Sequence, residues 1–267
     1  MRARSVLHVA RGSSGASRVE VLRAEAPLLL RESDATLRLS AGVPLVQLVG
    51  GAAAPLGGDD LRLDVRVGDG AALAVRSVAA TFAQPSTVPA GSLAVVDVEV
   101  GPGAHLDWWP EPLVSVRGSD HVAATTVHVG VGAVVCWVDE AVLGRHGEPS
   151  GRLVVRQRIE VGGVPLSVHD ATFDPDAVSA GRHGDARVAI TGFVHGIASG
   201  PPASVVRGRV RAARLPLDGV TTSWVALGDD REELHAVLVE LGLGPIGAQP
   251  IGLVPAGTER ADLPSLA

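Results

Sequence analysis

The sequence predicts a mainly β protein of stacked strand units, of the β-helix or solenoid type, with one α-helix towards its C-terminal end. Three observations predict it. An alternating strand, a Gly-x-Gly-Ala turn and a second alternating strand occur in Val65–Leu73, again in Val98–Leu106 and a third time in Val127–Val135. The first glycines of these turns, Gly68, Gly101 and Gly130, stand 33 and 29 residues apart. One stretch, close to 229–241, repeats its apolar residues at helical spacing.

Alternation with a period of two buries one face of a strand. A Gly-x-Gly step supplies the positive φ that a two- or three-residue hairpin needs. A recurrence every 20 to 50 residues signals stacked units, each too small to bury its own apolar face. A looser fourth copy, Ile159–Leu166, begins its turn at Gly162, 32 residues after Gly130. The competing reading is a set of ordinary hairpins in a β-sandwich.

Taken in order, Ser5–Ala10 is a short apolar strand, Ser17–Arg23 alternates through Val19 and Val21, and Leu28–Arg31 is a brief apolar run. Thr36–Leu39 and Pro44–Val49 read as strands around Gly42, and the Gly/Ala-rich 50–58 as a loop or crossing point. Leu61–Val67 sets Leu61, Leu63, Val65 and Val67 against Arg62, Asp64 and Arg66, the clearest half-buried strand. Val75–Thr81 follows the first repeat turn; Ser92–Val100 and His105–Trp109 flank the second; Val122–Val129 and Val134–Val138 flank the third. Between them Trp108-Trp109-Pro110-Glu111-Pro112 breaks the ladder, because two prolines remove donors. Leu153–Val161, Leu166–Phe173, Ala186–Ile197, Ser204–Leu215 and Val220–Leu227 complete the strands, with a loop over 174–185. In the helix, Asp229 caps with Glu232 three residues on, and Leu234, Val237, Leu238 and Leu241 form one stripe. Gly242, Gly244 and Pro245 end it. The absence of a Ser- or Gly-rich linker favours one domain over 1–267, with a loose tail from about 245.

Hydrophobic residues make up 46% of the 267, enough for a sizeable core. The formal net charge is −6 and every basic side chain is Arg, with no basic stripe, which argues against a nucleic-acid partner. Cys136 is the only cysteine, so no internal disulfide forms, which fits a reducing compartment. Met1–Ala10 lacks the apolar run of a secretory signal, and the longer uncharged stretches are broken by Gly and Pro, so neither export nor a membrane span is expected. The expected compartment is the cytoplasm.

Familiar catalytic signatures are missing. Without lysine there is no phosphate-binding Gly-x-x-x-x-Gly-Lys loop, and there is no His-Glu-x-x-His or Cys-x-x-Cys. The three repeat turns lie between strands and not before a helix, so they do not support dinucleotide binding. The nine histidines are scattered, with no two at i, i+2 or i, i+4. One polar cluster stands out: Asp139, Glu140, Arg145, His146 and Glu148 at a strand end. Carboxylates are hard, exchangeable ligands, suited to passing a divalent ion on. Asp139, Glu140 and Glu148, with Glu111 and with Asp59 and Asp60 after the Gly-rich loop, are therefore candidates for a transient metal relay. Trp108 and Trp109, with Arg145 and His146, are candidates for partner contact, since tryptophan is favoured at interface centres; one of the two tryptophans is expected in the core. The alternative is a β-solenoid carbohydrate-active enzyme using paired carboxylates, Asp139/Glu140 or Asp107/Glu111. Against it, neighbours on a strand point apart and aromatic residues are only 3%.

Four segments resemble the urease accessory protein UreD (UreH) family, in its actinobacterial form. They are Gly57-Gly58-Asp59 before Leu61–Val65, Val78-Ala79-Ala80-Thr81, Asp107–Pro112, and Asp139–Glu148 with its acidic pair, Leu-Gly-Arg and Gly-Glu. Asp120-His121 fits the same form. Many members continue Ala-Ala-Thr with Lys-x-Tyr; here Thr81-Phe82-Ala83-Gln84 stands instead, without the cation or the phenol. The resemblance implies a mainly β fold with a β-helix-like stack and a helical element. It implies a role without turnover: a chaperone for nickel insertion that binds apo-urease on one side and UreF on the other, UreF recruiting the GTPase UreG. It implies no tightly bound cofactor, with Ni²⁺ in transit through a passage.

Overall fold

The computed structural model describes residues 1–33, 42–176 and 186–243. In chain order its elements are β1 (Arg2–Arg11), β2 (Ser17–Arg23), β3 (Leu28–Glu32), β4 (Leu45–Gly50), β5 (Asp60–Val67), β6 (Ala72–Ser77), β7 (Thr81–Ala83), β8 (Ser92–Val100), β9 (His105–Trp108), β10 (Leu113–Ser115), β11 (Asp120–Val129), β12 (Val134–Leu143), β13 (Arg152–Val161), β14 (Val164–Phe173), β15 (Val188–His195), β16 (Ala203–Arg207), β17 (Val210–Pro216), β18 (Thr221–Gly228) and α1 (Arg231–Glu240). The expected strand Thr36–Leu39, most of the 174–185 loop and the tail from about 245 lie outside the described residues.

The strands form two sheets. The first runs β14-β13-β11-β8-β5-β1-β2, and the second β16-β17-β18-β15-β12-β9-β6-β4-β3, with β7 and β10 attached beside β12. In the first sheet β1, β5, β8, β11 and β13 are all parallel. In the second, β4, β6, β9 and β12 are parallel. Antiparallel strands extend each stack at its sides.

This arrangement explains the repeated phrase and corrects one part of its reading. The Gly-x-Gly turns do not close hairpins. Each carries the chain from the first sheet to the second, β5 to β6, β8 to β9 and β11 to β12, and each strand pairs with the next copy of itself. Alternation looks the same whichever partner a strand takes, so sequence could not separate the two. The corners stack through Gly101 N–H to Val67 O at 2.8 Å and Gly130 N–H to Val100 O at 2.7 Å. The second glycine of each turn, Gly70, Gly103 and Gly132, takes the positive φ. The first has another reason: a Cβ on Gly101 would lie 2.5 Å from Asp69 Oδ1, and one on Gly130 2.6 Å from Pro102 N. Only the fourth copy is a true hairpin. Gly162 and Gly163 both have positive φ and join β13 to antiparallel β14, which ends the parallel stack.

Three cores result. The largest fills the space between the sheets at the corner end, with Leu63, Val65, Val98, Val127, Leu106 and Trp137 among its members. A smaller one at the opposite end joins Leu143, Leu153 and Phe173. The third lies on the outer face of the second sheet, where α1 packs Leu234, Val237 and Leu238 on Ile190, Val210 and Trp224. The stripe is as expected, but the cap shifts by one residue. Asp229 pairs with Arg209, and Asp230 accepts the Glu233 N–H at 2.9 Å. At the other end Gly242 (φ 71°) and Leu243 donate to Val239 O and Leu238 O, a two-bond glycine C-cap. The expected single strand Ser204–Leu215 is two, paired antiparallel as β16 and β17 about Gly208. No helix among the described residues is long and apolar enough to cross a membrane.

Candidate functional site

The second sheet is interrupted. β6 ends at Ser77 and β7 begins at Thr81, so the strand expected over Val75–Thr81 is broken. One unit further along, β9 ends at Trp108 and β10 begins at Leu113. The intervening Trp109-Pro110-Glu111-Pro112 cannot continue a ladder, because neither proline has an N–H. β12 alone runs unbroken: it pairs with β9 over Val134–Trp137 and with β10 over Ala141–Leu143. Its middle, Val138–Glu140, has no strand on that side. The result is a slit across the sheet that ends at β12.

Behind the slit three of the five inward positions of the first sheet are alanine. Leu61, Ala94, Ala123, Val155 and Ala171 lie side by side in register. Small side chains on one wall and missing strands on the other leave a cavity of about 500 Å³ between the largest core and the smaller one at the opposite end. Exposed Val78 and Phe82 stand on its rim with Ala52 and Ala79. Trp137 forms part of the inner wall and stacks on Trp108, centroids 4.4 Å apart and nearly parallel.

Three expected relay residues line this cavity: Glu111, Asp139 and Glu140. Asp139 points between the sheets, where its Oδ2 accepts Trp137 Nε1–H at 2.8 Å and Gln157 Nε2–H at 3.1 Å. Burial pushes its carboxyl up to about 6, against the pull of these two donors. Glu140, the next residue, faces α1. Arg231 Nε donates to its Oε1 at 2.5 Å, and His235 Nε2 lies 3.2 Å from its Oε2. Burial acts to raise Glu140, but the contacts with His235 and Arg231 outweigh it and hold the group below the usual range. Glu111 completes the cluster: its Oε2 is 3.2 Å from Arg231 Nη2, and its N–H donates to Ser77 Oγ at 2.7 Å.

The other expected residues lie elsewhere. Asp59 is buried and accepts from the Met1 amino group at 2.6 Å and from Leu56 N–H at 2.9 Å. Asp60 lies on the outer face of the first sheet, 3.3 Å from Arg62. Glu148 closes its own loop with Arg145, whose hydrogen bonds hold it down to about 2. Arg145 and His146 are exposed there, away from the slit residues. Trp108 is 3% exposed and stacked on Trp137, and is the one of the two tryptophans that lies in the core. Trp109 is half-buried and stacks on His235. Among the described residues no three His, Cys, Asp or Glu side chains are grouped to hold a metal ion.

Sequence reasoning missed Arg231, His235, Gln157 and Trp137. The signal was present for the first two. Glu140 sits in Val134–Leu143, a strand otherwise apolar apart from Asp139, and a charge there must find a partner. It also missed His121, a cavity-wall imidazole whose Nδ1 is 2.8 Å from Ser92 Oγ, and which burial lowers to about 4.

The profile of the UreD urease accessory protein family matches residues 1–241. The chain is 36% identical to the urease accessory protein UreD of Frankia alni, over 90% of this chain and 92% of the relative. It is 35% identical to that of Streptomyces coelicolor, over 86% and 91%. The match to that of Frankia casuarinae is 41% identical over 60% of this chain and 54% of the relative. The chain belongs to the UreD urease accessory protein family.

Proposed function

We propose that this member of the UreD family is a cytoplasmic scaffold for nickel insertion. It holds apo-urease and UreF, UreF brings UreG, and Ni²⁺ passes through the cavity behind the slit without any bond being made or broken by this chain. The observation that carries the reading is that Glu111, Asp139 and Glu140 are all among the residues lining one otherwise largely apolar cavity, Asp139 turned between the sheets and Glu140 towards α1. A hydrated divalent cation needs oxygen donors that release it again, and separate carboxylates do this where a closed cage would not. Ni²⁺ is the cargo here. The half-buried Trp109 and the exposed Arg145 and His146 are the candidate partner contacts.

The carbohydrate-hydrolase alternative fares worse on geometry. Asp139 and Glu140 leave opposite faces of β12, one held by Trp137 and Gln157, the other by Arg231 and His235. Two carboxyls on opposite faces of a sheet cannot flank one glycosidic bond.

The test is co-expression of the urease subunits with UreF and UreG, with and without this chain, followed by metal analysis of the purified urease. Nickel is expected in the purified urease only when the chain is present. Equal nickel content without it would end the proposal. A pull-down of the chain with UreF and apo-urease tests the partner assignment separately.

A further inference from the structure

The carboxylates that line the cavity are hard oxygen donors, and oxygen alone serves Mg²⁺ and Ca²⁺ as readily as Ni²⁺. A nitrogen donor separates these ions, because imidazole suits Ni²⁺ and its transition-metal neighbours and not the hard dications. Two histidines line the cavity, His121 on β11 and His169 on β14.

Their settings differ. His121 is 1% exposed and faces inward, two residues before Ala123. Its Nδ1 is 2.8 Å from Ser92 Oγ on the neighbouring strand β8. The Ser92 hydroxyl has a second acceptor, Asp120 O at 3.4 Å. With its proton given there, Oγ takes Nδ1–H, and the ring keeps its lone pair on Nε2. That nitrogen has no hydrogen-bond partner among the described residues. Buried polar atoms are rarely left so, and this one belongs to a side chain on a cavity wall. A metal-binding histidine is built in the same way: one ring nitrogen tied to an oxygen, which fixes ring and tautomer, and the other free. Burial also lowers the ring to about 4, so it has no proton to shed before a cation binds. No such tether holds the half-buried His169 among the described residues; it stands opposite Gln157, whose amide is taken by Asp139. The rows of His121 and Gln157 are four residues apart on paired strands, about 13 Å. His121 and Asp139 are thus separate stops and not one cage.

We infer that His121 is the nitrogen stop of the cavity: its Nε2 binds Ni²⁺ in transit and makes the cavity prefer that ion to Mg²⁺ and Ca²⁺. The inference rests on the reading of the cavity as a nickel passage and adds the residue that chooses the ion. One protein nitrogen, with water in the remaining positions, lets the ion go again, as cargo requires.

The test uses the full chain with Ni²⁺ or Mg²⁺ alone. Calorimetric titration is expected to show Ni²⁺ bound at least tenfold more tightly than Mg²⁺. His121→Leu, which fills the space of the ring without a nitrogen, is expected to weaken Ni²⁺ at least tenfold and to leave Mg²⁺ within twofold. Asp139→Asn is expected to weaken both ions alike. Ni²⁺ affinity within twofold of the parent in His121→Leu would overturn the nitrogen stop, and a loss in Asp139→Asn alongside it would leave the passage standing. No Ni²⁺ binding by the parent chain would overturn the passage, and the stop with it. Nickel X-ray absorption at one equivalent reads the ligand directly: imidazole is expected in the parent and not in His121→Leu. An all-oxygen shell in the parent, or imidazole that persists in the variant, would overturn the stop. If His121→Leu does not fold, Ser92→Ala removes only the tether. It is expected to weaken Ni²⁺ about tenfold, as the loss of an outer partner of a metal ligand does; an unchanged affinity would overturn the stop equally. A histidine that only packed would change the melting temperature of these variants and not the ratio of Ni²⁺ to Mg²⁺ affinity.

Discussion

At the corner end of the molecule, the inward positions of β5, β8, β11 and β13 are Val65, Val98, Val127 and Ile159, all closed over by the second sheet. Four residues earlier in the same strands they are Leu61, Ala94, Ala123 and Val155, and they face a hollow. The strands do not change between these rows; two other things do. Three of the four side chains shrink, all but Leu61, and the opposing sheet loses its rungs at Ser77–Thr81 and Trp108–Leu113. A β-stack thus makes a cavity without any special backbone on the cavity's own wall. It needs small residues facing a gap, and at one of the two rungs the gap follows from prolines that cannot donate.

This contrast can be broken most severely where the two regions meet. Trp137 is fully buried and separates the packed core from the hollow. Trp137→Ala is expected to lose about 4 kcal/mol, since a large ring leaves and the space it vacates joins an existing cavity instead of collapsing. Asp139 also loses a donor. Denaturant melts of the purified chain measure it; a loss below about 1 kcal/mol would mean the wall is not load-sharing. At the corner end, Gly130→Ala puts a Cβ 2.6 Å from Pro102 N and 2.7 Å from Gly101 C, all backbone. About 3 kcal/mol is expected. Gly132→Ala, two residues on, meets nothing within 4 Å but must hold φ 69°. It is expected to lose about 1 kcal/mol. The ratio of the two separates close stacking of corners from backbone handedness.

How much of this was legible follows the same division. The corners were: spacing of Gly68, Gly101 and Gly130 announced stacked units, although not that the turns change sheet. The slit was half legible. Pro110 and Pro112 marked one broken rung, while Val78–Ala80, which contains no breaker, was expected to be strand and is not. Its break is set by the neighbour it would have paired with. The acidic pair was legible as two faces, because adjacent strand residues diverge. Which faces, and against what, was not: Arg231 and His235 meet Glu140 across 91 and 95 residues of sequence. Long-range ion pairs leave no periodicity behind.

Asp139 offers a milder perturbation of the hollow side. Its folded carboxyl is pushed from an ordinary 3.8 up to about 6 by burial. The folded state therefore holds a proton that the unfolded state has released between those values. The associated stability is fully present below about 4 and is lost as pH rises through about 6. It is on the order of 3 kcal/mol. Asp139→Asn is expected to flatten that part of the stability–pH curve while leaving Glu140, on the other face, unaffected. An unchanged slope in the variant would place the titration elsewhere.

The smallest effect sharpens the comparison most. Ala133 and Ala123 lie on the same rung, Ala133 in the packed corner and Ala123 on the cavity wall. Adding two methyl groups to each gives the same chemical change in two environments. Ala133→Val is expected to lose about 2 kcal/mol by overpacking. Ala123→Val has open volume to enter and gains apolar contact, so its stability is expected to stay within about 0.5 kcal/mol of the parent. If both alanines respond alike, the space behind the slit is not open in solution, and what would follow is a sheet that closes over its own gap. If only Ala133 responds, the hollow is a property of the fold, and progressively larger residues at 123 become a graded plug with which to ask what passes through it.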